Sequence, residues 1–197
     1  MDPVKAQDSG FLNSDTFAKI KRINVVGSSA TGKSTFSRRL ARILNVPHVE
    51  MDQLFWKPNW TESTDDEFFP RVEQAVSQEA WVLDGNYTRT VPIKWQRVQM
   101  VVWLDYSFLT TLRQSIQRSI SRAWQKKELW RGTGNTESFR RSFFSKKSVI
   151  WWMITNYQKN QSKYESYFND PEWSHVLFVR LKSRDEAERF LKSIRPS

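Results

Sequence analysis

Residues 27–35 read Gly27-Ser28-Ser29-Ala30-Thr31-Gly32-Lys33-Ser34-Thr35 and fit the spacing G-x-x-x-x-G-K-[ST] of a loop that cradles phosphate. Glycines let such a loop curl until successive backbone N–H groups point inward, and a helix that starts at its end adds partial positive charge. A cup of this kind suits the phosphates of a nucleotide triphosphate. Lys33 is placed to reach the β- and γ-phosphates as a point charge and the Ser34 hydroxyl to coordinate Mg²⁺. Thr35 stands beside it as a helix-start residue, and Ser28 and Thr31 mainly supply backbone donors. The alternative is a glycine-containing turn ahead of an ordinary helix.

Phosphoryl transfer needs more than the cradle: a held metal, an acceptor whose proton can leave, and cations over the transferred group. Two acids end short apolar runs, Asp52 after Val46-Pro47-His48-Val49-Glu50-Met51 and Asp84 after Trp81-Val82-Leu83. Asp84 is expected to hold Mg²⁺ with Ser34, against the reading of an Asp-Gly turn residue. Asp52 is expected to accept the proton of an acceptor hydroxyl, against the reading of a helix or loop cap. Arg89, Arg118 and Arg122 are the candidate phosphate clamps, with a solvated face as the alternative and Arg113 and Arg131 in reserve. Phe55, Trp56 and Trp60 could stack on a planar acceptor, although packing beneath a neighbouring helix is the commoner fate of such rings.

The elements that must position these residues alternate. Ile23-Asn24-Val25-Val26 reads as a buried strand before the loop, and Phe36, Leu40, Ile43 and Leu44 lie at helical spacing after it. A second strand is expected to run up to Asp52, and Thr64-Asp65-Asp66-Glu67 is a capping box that opens a helix. Trp81 to Asp84 forms a third strand, and Val98 to Asp105 a fourth, followed by a helix that Ser107 can cap. Leu109, Leu112, Ile116, Ile120 and Ala123 are expected to form the buried face of that helix, with Arg118, Arg122 and Lys126 outward. Residues 137–168 are mostly helical by pattern; residues 176–181 form a fifth strand and residues 184–194 a closing helix. Strands alternating with helices imply a parallel sheet covered on both faces, with ligands gathering at the carboxyl ends of its strands. The loop, Asp52 and Asp84 all fall at such ends.

The chain has 197 residues, 39% of them hydrophobic and 26% charged, which is ordinary for one α/β domain with a sizeable core. Residues 1–19 carry no targeting pattern and read as a flexible extension, with a single domain over 20–197. The absence of Cys excludes a disulfide framework or a thiolate zinc site and fits a cytoplasmic location. His48 and His175 are too scattered for a metal cluster, and no window approaches the ~20 apolar residues of a membrane span. Net charge is +10, and residues 107–147 hold ten Lys and Arg against two acids. That segment suits a polyanion, either nucleotide phosphates or a nucleic-acid backbone.

The phosphate loop with Ser37-Arg38-Arg39-Leu40, the stretch Met51-Asp52-Gln53-Leu54-Phe55-Trp56-Lys57-Pro58-Asn59-Trp60, and Trp81-Val82-Leu83-Asp84-Gly85-Asn86-Tyr87 resemble the adenylate-kinase-like small P-loop kinases. Within them the likeness is to proteins labelled DNA topology modulation protein or adenylate kinase-related kinase, over residues 21–194. The resemblance implies a three-layer P-loop NTPase fold with a five-stranded parallel sheet in the order 2-3-1-4-5. It also implies Lys33 and Ser34 on phosphate and Mg²⁺, Asp84 near the metal, and a basic helical lid at about residues 118–140 whose arginines come from Arg118, Arg122 and Arg131. Adenylate kinases read D-G-F-P-R-T where this chain reads Asp84-Gly85-Asn86-Tyr87-Thr88-Arg89-Thr90, and they usually carry Pro and Gly where it has Ser29 and Ala30. The acceptor is therefore open. Two functions follow as expectations: an ATP- and Mg²⁺-dependent small-molecule kinase of the nucleoside or nucleotide type, or a nucleotide-dependent nucleic-acid-binding or regulatory protein.

Overall fold

The computed structural model describes residues 17, 19–125, 133–135 and 149–194. Strand β1 (Arg22–Gly27) feeds the phosphate loop and helix α1 (Lys33–Leu44); β2 (His48–Glu50) leads directly into a short helix, α2 (Met51–Phe55). A small antiparallel hairpin, β3 (Trp56–Lys57) and β4 (Thr61–Glu62), precedes α3 (Asp65–Val76). Then come β5 (Trp81–Asp84), α4 (Val91–Lys94), β6 (Met100–Leu104), α5 (Phe108–Gln125), α6 (Val149–Asn169), β7 (Leu177–Leu181) and α7 (Arg184–Ser193).

The main sheet is wholly parallel, in the order β2-β5-β1-β6-β7. Counted within this sheet alone, the strands run 2-3-1-4-5 in chain order; the hairpin that interrupts the numbering is not expected from the sequence. Alternation along the strands builds a core on each face. Ile23, Val25, Val82, Met100, Val102 and Leu104 pack with α1 and α7 on one side. Val26, Trp81, Leu83, Val101 and Trp103 pack with α2, α3 and α6 on the other. Each fully buried aliphatic side chain of this kind is worth about 1.5–3 kcal/mol.

Three expectations change. Asp52 does not end a strand: β2 stops at Glu50, and Asp52 lies in the first turn of α2. Phe17, inside the stretch expected to be flexible, is buried against Phe190 with ring centroids 5.5 Å apart. Helix α5 is turned opposite to its hydrophobic pattern: Leu109, Ile116, Ile120 and Trp124 are exposed, while Thr111, Gln114, Ser115 and Ser119 are buried. The inward side of α5 lies against the phosphate loop and must be polar. Arg118 accordingly turns inward and places Nη2 3.4 Å from the Ser29 hydroxyl. The side chain of Arg122, Arg131, and most of the expected lid fall outside the described residues. Among those described, no helix is long and apolar enough to cross a membrane.

Candidate active site

The carboxyl ends of β1 and β5, with the start of α2, form one edge of the sheet. Gly27 sits at φ 147°, and a Cβ there would lie 2.6 Å from the Leu104 carbonyl oxygen, so only glycine fits. Gly32, at φ 89°, caps α1 in the left-handed region. Between them the loop holds itself: the Thr31 hydroxyl donates to the Ser28 carbonyl at 3.0 Å, and Lys33 Nζ donates to the same oxygen at 2.9 Å.

Lys33 is half-buried, and desolvation lowers its pKa; Asp84 and Asp52 counter that effect, and Arg118 adds to it. Those three charges are therefore within electrostatic reach of Lys33. Asp84 is buried, and its carboxyl is pushed up to about 6, chiefly by desolvation, against the pull of Lys33 and a hydrogen bond from Ser34. Its Oδ1 is buried with no hydrogen-bond partner. An unpartnered buried carboxylate oxygen beside a hydroxyl is a pair of hard oxygen donors, which fits Mg²⁺. Asp52 lies across from this pair and accepts a 2.7 Å hydrogen bond at Oδ1 from the Tyr87 hydroxyl. Burial and that bond hold the Tyr87 phenol well above its ordinary pKa.

Arg89 is elsewhere than on the phosphate loop. It pairs with Asp65 at 2.9 Å and lies over the Phe55 and Phe68 rings, 5.0 and 5.5 Å from their centroids. It therefore borders the Asp52–Tyr87 side, not the Lys33 side. Phe55 is core, packed on Phe68 and Tyr87, whereas Trp56 and Trp60 stand in the hairpin at 5.5 Å from each other. Asn135 ties that hairpin to the described part of the expected lid: its Oδ1 accepts from Trp60 N at 2.8 Å and its Nδ2 donates to the Lys57 carbonyl at 3.0 Å.

Sequence reasoning missed four contributors. Asn86 grips Gly27 at both ends, accepting from its N–H at 3.0 Å and donating to its carbonyl. Lys163, from α6, donates to Thr88 Oγ1 and Asn160 Oδ1, both at 3.1 Å; burial and Lys33 lower its pKa. Gln114 bridges the phosphate loop to α7: its amide nitrogen donates to Ala30 O at 2.7 Å, and its oxygen accepts from Arg184 Nε and Nη2 at 2.6 and 2.8 Å. Thr110, Arg113, Gln114, Gln117 and Arg184 line a cavity of about 280 Å³ beside this bridge. Lys94 lies beneath the loop that follows β5. Only the Asp84-Gly85-Asn86 turn gave any sequence signal for this group.

No protein-family model matches the chain, and no curated protein matches it. Among solved structures, it is similar to the shikimate kinase from Bacteroides thetaiotaomicron at 12% identity and a TM-score of 0.50, over 88% of this chain and 95% of that one. It is also similar to a gluconokinase from Sinorhizobium meliloti 1021, at 14% identity and 0.49 over 88% and 89% of the two chains. A shikimate kinase from Aquifex aeolicus vf5 aligns at 16% identity and 0.48, over 88% and 92%. At such identities the likeness is one of fold: the chain has the α/β architecture of the small P-loop kinases.

Proposed function

We propose that this protein is an ATP- and Mg²⁺-dependent small-molecule kinase, adenylate-kinase-like as its sequence suggests, with a hydroxyl of a nucleoside- or nucleotide-type acceptor receiving the phosphoryl group. The observation that carries the reading is the convergence of a half-buried Lys33 with Ser34, Asp84, Asp52 and Arg118 at one sheet edge. Lys33 and the backbone of residues 27–35 bind the β- and γ-phosphates, and Arg118 neutralises charge on the transferred group. Ser34 and Asp84 hold Mg²⁺, which when bound screens the phosphate oxygens from the incoming hydroxyl. Asp52, oriented by Tyr87, takes the acceptor proton through its other oxygen. The base of the nucleotide occupies the cavity lined by Gln114 and Arg184, Gln114 being tied to Ala30 of the loop. Arg89, Trp56 and Trp60 border the acceptor.

A screen of γ-labelled ATP against nucleosides, nucleoside monophosphates and small hydroxylated metabolites tests this. Transfer to one class, abolished in Lys33→Ala, is the expected result. No transfer to any acceptor, together with tight DNA binding that weakens steeply with salt, would overturn it in favour of a nucleic-acid-binding role for the basic segment.

A further inference from the structure

Lys94 ends the four-residue helix α4, is 1% exposed, and takes no part in the chemistry assigned above. Its Nζ lies 3.4 Å from the carbonyl oxygens of both Gly85 and Tyr87 and 3.8 Å from the Met51 sulfur. Among the described residues no carboxylate offsets this group; its neighbouring charge is another lysine, Lys163. An amine enclosed in this way, its pKa pushed down to about 7 by burial and with only carbonyl dipoles to replace its water, weakens a fold that Met at the same position would not weaken. Natural chains keep such a cost at sites where geometry matters more than stability.

Lys94 touches the three residues from which the acceptor side is built. Met51 precedes Asp52, Gly85 follows Asp84, and Tyr87 carries the hydroxyl that orients Asp52. Gly85 has no room to give: at φ 151°, a Cβ would lie 2.7 Å from that of Met51. Asn86, between the two gripped carbonyls, holds Gly27 of the phosphate loop. One buried amine thus lies under the junction of the strip that positions Asp52 and the strip that is tied to the donor phosphates.

We infer that Lys94 is a positioning residue: by fastening the Gly85 and Tyr87 carbonyls from beneath, it sets the distance between the acceptor side at Asp52 and the donor side at residues 27–35. This rests on the kinase reading for its purpose, but its physical content is independent of turnover. A trans peptide directs its N–H opposite to its C=O, so fixing the Gly85 and Tyr87 carbonyls also fixes the direction of the Asn86 and Thr88 amides.

The test compares the wild-type chain with Lys94→Met and Lys94→Gln, the latter keeping a shorter donor. Amide hydrogen exchange and thermal melting are read on the protein alone, and ATP affinity by calorimetry with Mg²⁺ present. Lys94→Met is expected to melt no lower than wild type while exchange across residues 84–88 quickens by about tenfold, leaving ATP affinity within about threefold. Lys94→Gln should show the same local change, smaller in size. With whichever acceptor the screen yields, kcat falls and KM for ATP stays. If either folded variant leaves exchange in residues 84–88 at the wild-type rate, the inference is wrong. It is equally wrong if melting drops and exchange rises evenly over the chain, the mark of a plain packing role. Failure of every acceptor would remove the kinase reading, whereas the exchange rates of residues 84–88 would still decide whether Lys94 fastens that loop.

Discussion

Residues 27–35 and residues 84–90 both leave the carboxyl end of a sheet strand and border the same site, yet they differ in how their key side chains are held. In the first loop Lys33 and Thr31 both donate to Ser28 of the same loop, Gly27 and Gly32 supply the backbone turns, and Arg118 and Gln114 add ties from α5 to Ser29 and Ala30. The second has a local turn, Thr90 donating to the Tyr87 carbonyl at 2.7 Å, but its other side chains are fastened outside it, through Asn86 to Gly27, Tyr87 to Asp52, Lys94 to Gly85 and Tyr87, and Lys163 to Thr88. A motif that organises itself can be transplanted among folds; a loop held by its surroundings is particular to one chain. That difference predicts which substitutions act locally and which spread.

The largest effect belongs to the first loop. Lys33→Ala removes the cation proposed to bind the donor phosphates, and ATP affinity or turnover should fall by at least about 100-fold. Because Lys33 donates within its own loop, to Ser28, circular dichroism and the exchange pattern of residues 84–90 should stay as in wild type. A change that spread into residues 84–90 would break the contrast, since it would make the first loop a support for the second.

Asp84→Asn comes next and separates chemistry from stability. Loss of the oxygen proposed to hold the metal should lower Mg²⁺-dependent turnover by about 100-fold, read by titrating the metal. Stability should move the other way. The folded carboxyl is raised from 3.8 to about 6, so protonation favours the fold, and this contribution is present below about pH 4 and lost as pH rises through 6. Above pH 6 the buried charge costs on the order of 3 kcal/mol, which Asn does not incur. Denaturant melts should therefore find Asp84→Asn more stable than wild type at pH 7.5, with the gap closing toward pH 4. A variant less stable at pH 7.5 would show that Ser34 and Lys33 compensate the charge fully.

Asn86→Ala tests the bond between the two loops directly. Two hydrogen bonds to Gly27 are lost and that backbone is left partly unpaired, for a destabilisation of about 1–3 kcal/mol in chemical melts. Unlike Lys33→Ala, this change should raise exchange in both loops together. A double substitution with Lys94→Met should be non-additive, because both act on residues 84–88.

The same contrast explains what was legible. Short continuous apolar runs at β1, β5 and β6 gave the sheet, since a parallel strand covered on both faces needs apolar side chains on each. The capping box at Thr64 and Glu67 forms as read, with Glu67 accepting from the Thr64 N–H at 3.0 Å. Helix α5 misled because its apolar positions do mark one face, but sequence does not say which face meets the core; Gln114 and Arg118 face the phosphate loop, and this side takes precedence. Asn86, Lys94 and Lys163 escaped notice for a related reason. A lone Asn or Lys has no period, and its partners lie 59, 9 and 75 residues away along the chain. Asp52 was singled out, but its helical setting and its Tyr87 partner were not.

The smallest expected effect lies at the outer rim of the second loop, where Arg89 meets Asp65. Both side chains are about half exposed, so water competes for each and the pair contributes at most about 1 kcal/mol. Asp65 also stands in the first turn of α3, where a negative charge gains a few tenths more from the helix N-terminus. Asp65→Asn keeps the shape and removes both effects, so a chemical melt should shift by no more than about 1 kcal/mol. Arg89 keeps its place over the Phe55 and Phe68 rings and gains freedom at its guanidinium end. If Arg89 serves an acceptor, KM for that acceptor should change in Asp65→Asn while ATP affinity does not. A shift in ATP affinity would instead show that even this rim is coupled to Gly27, and the second loop would have to be treated as one rigid piece from Asp84 to Thr90.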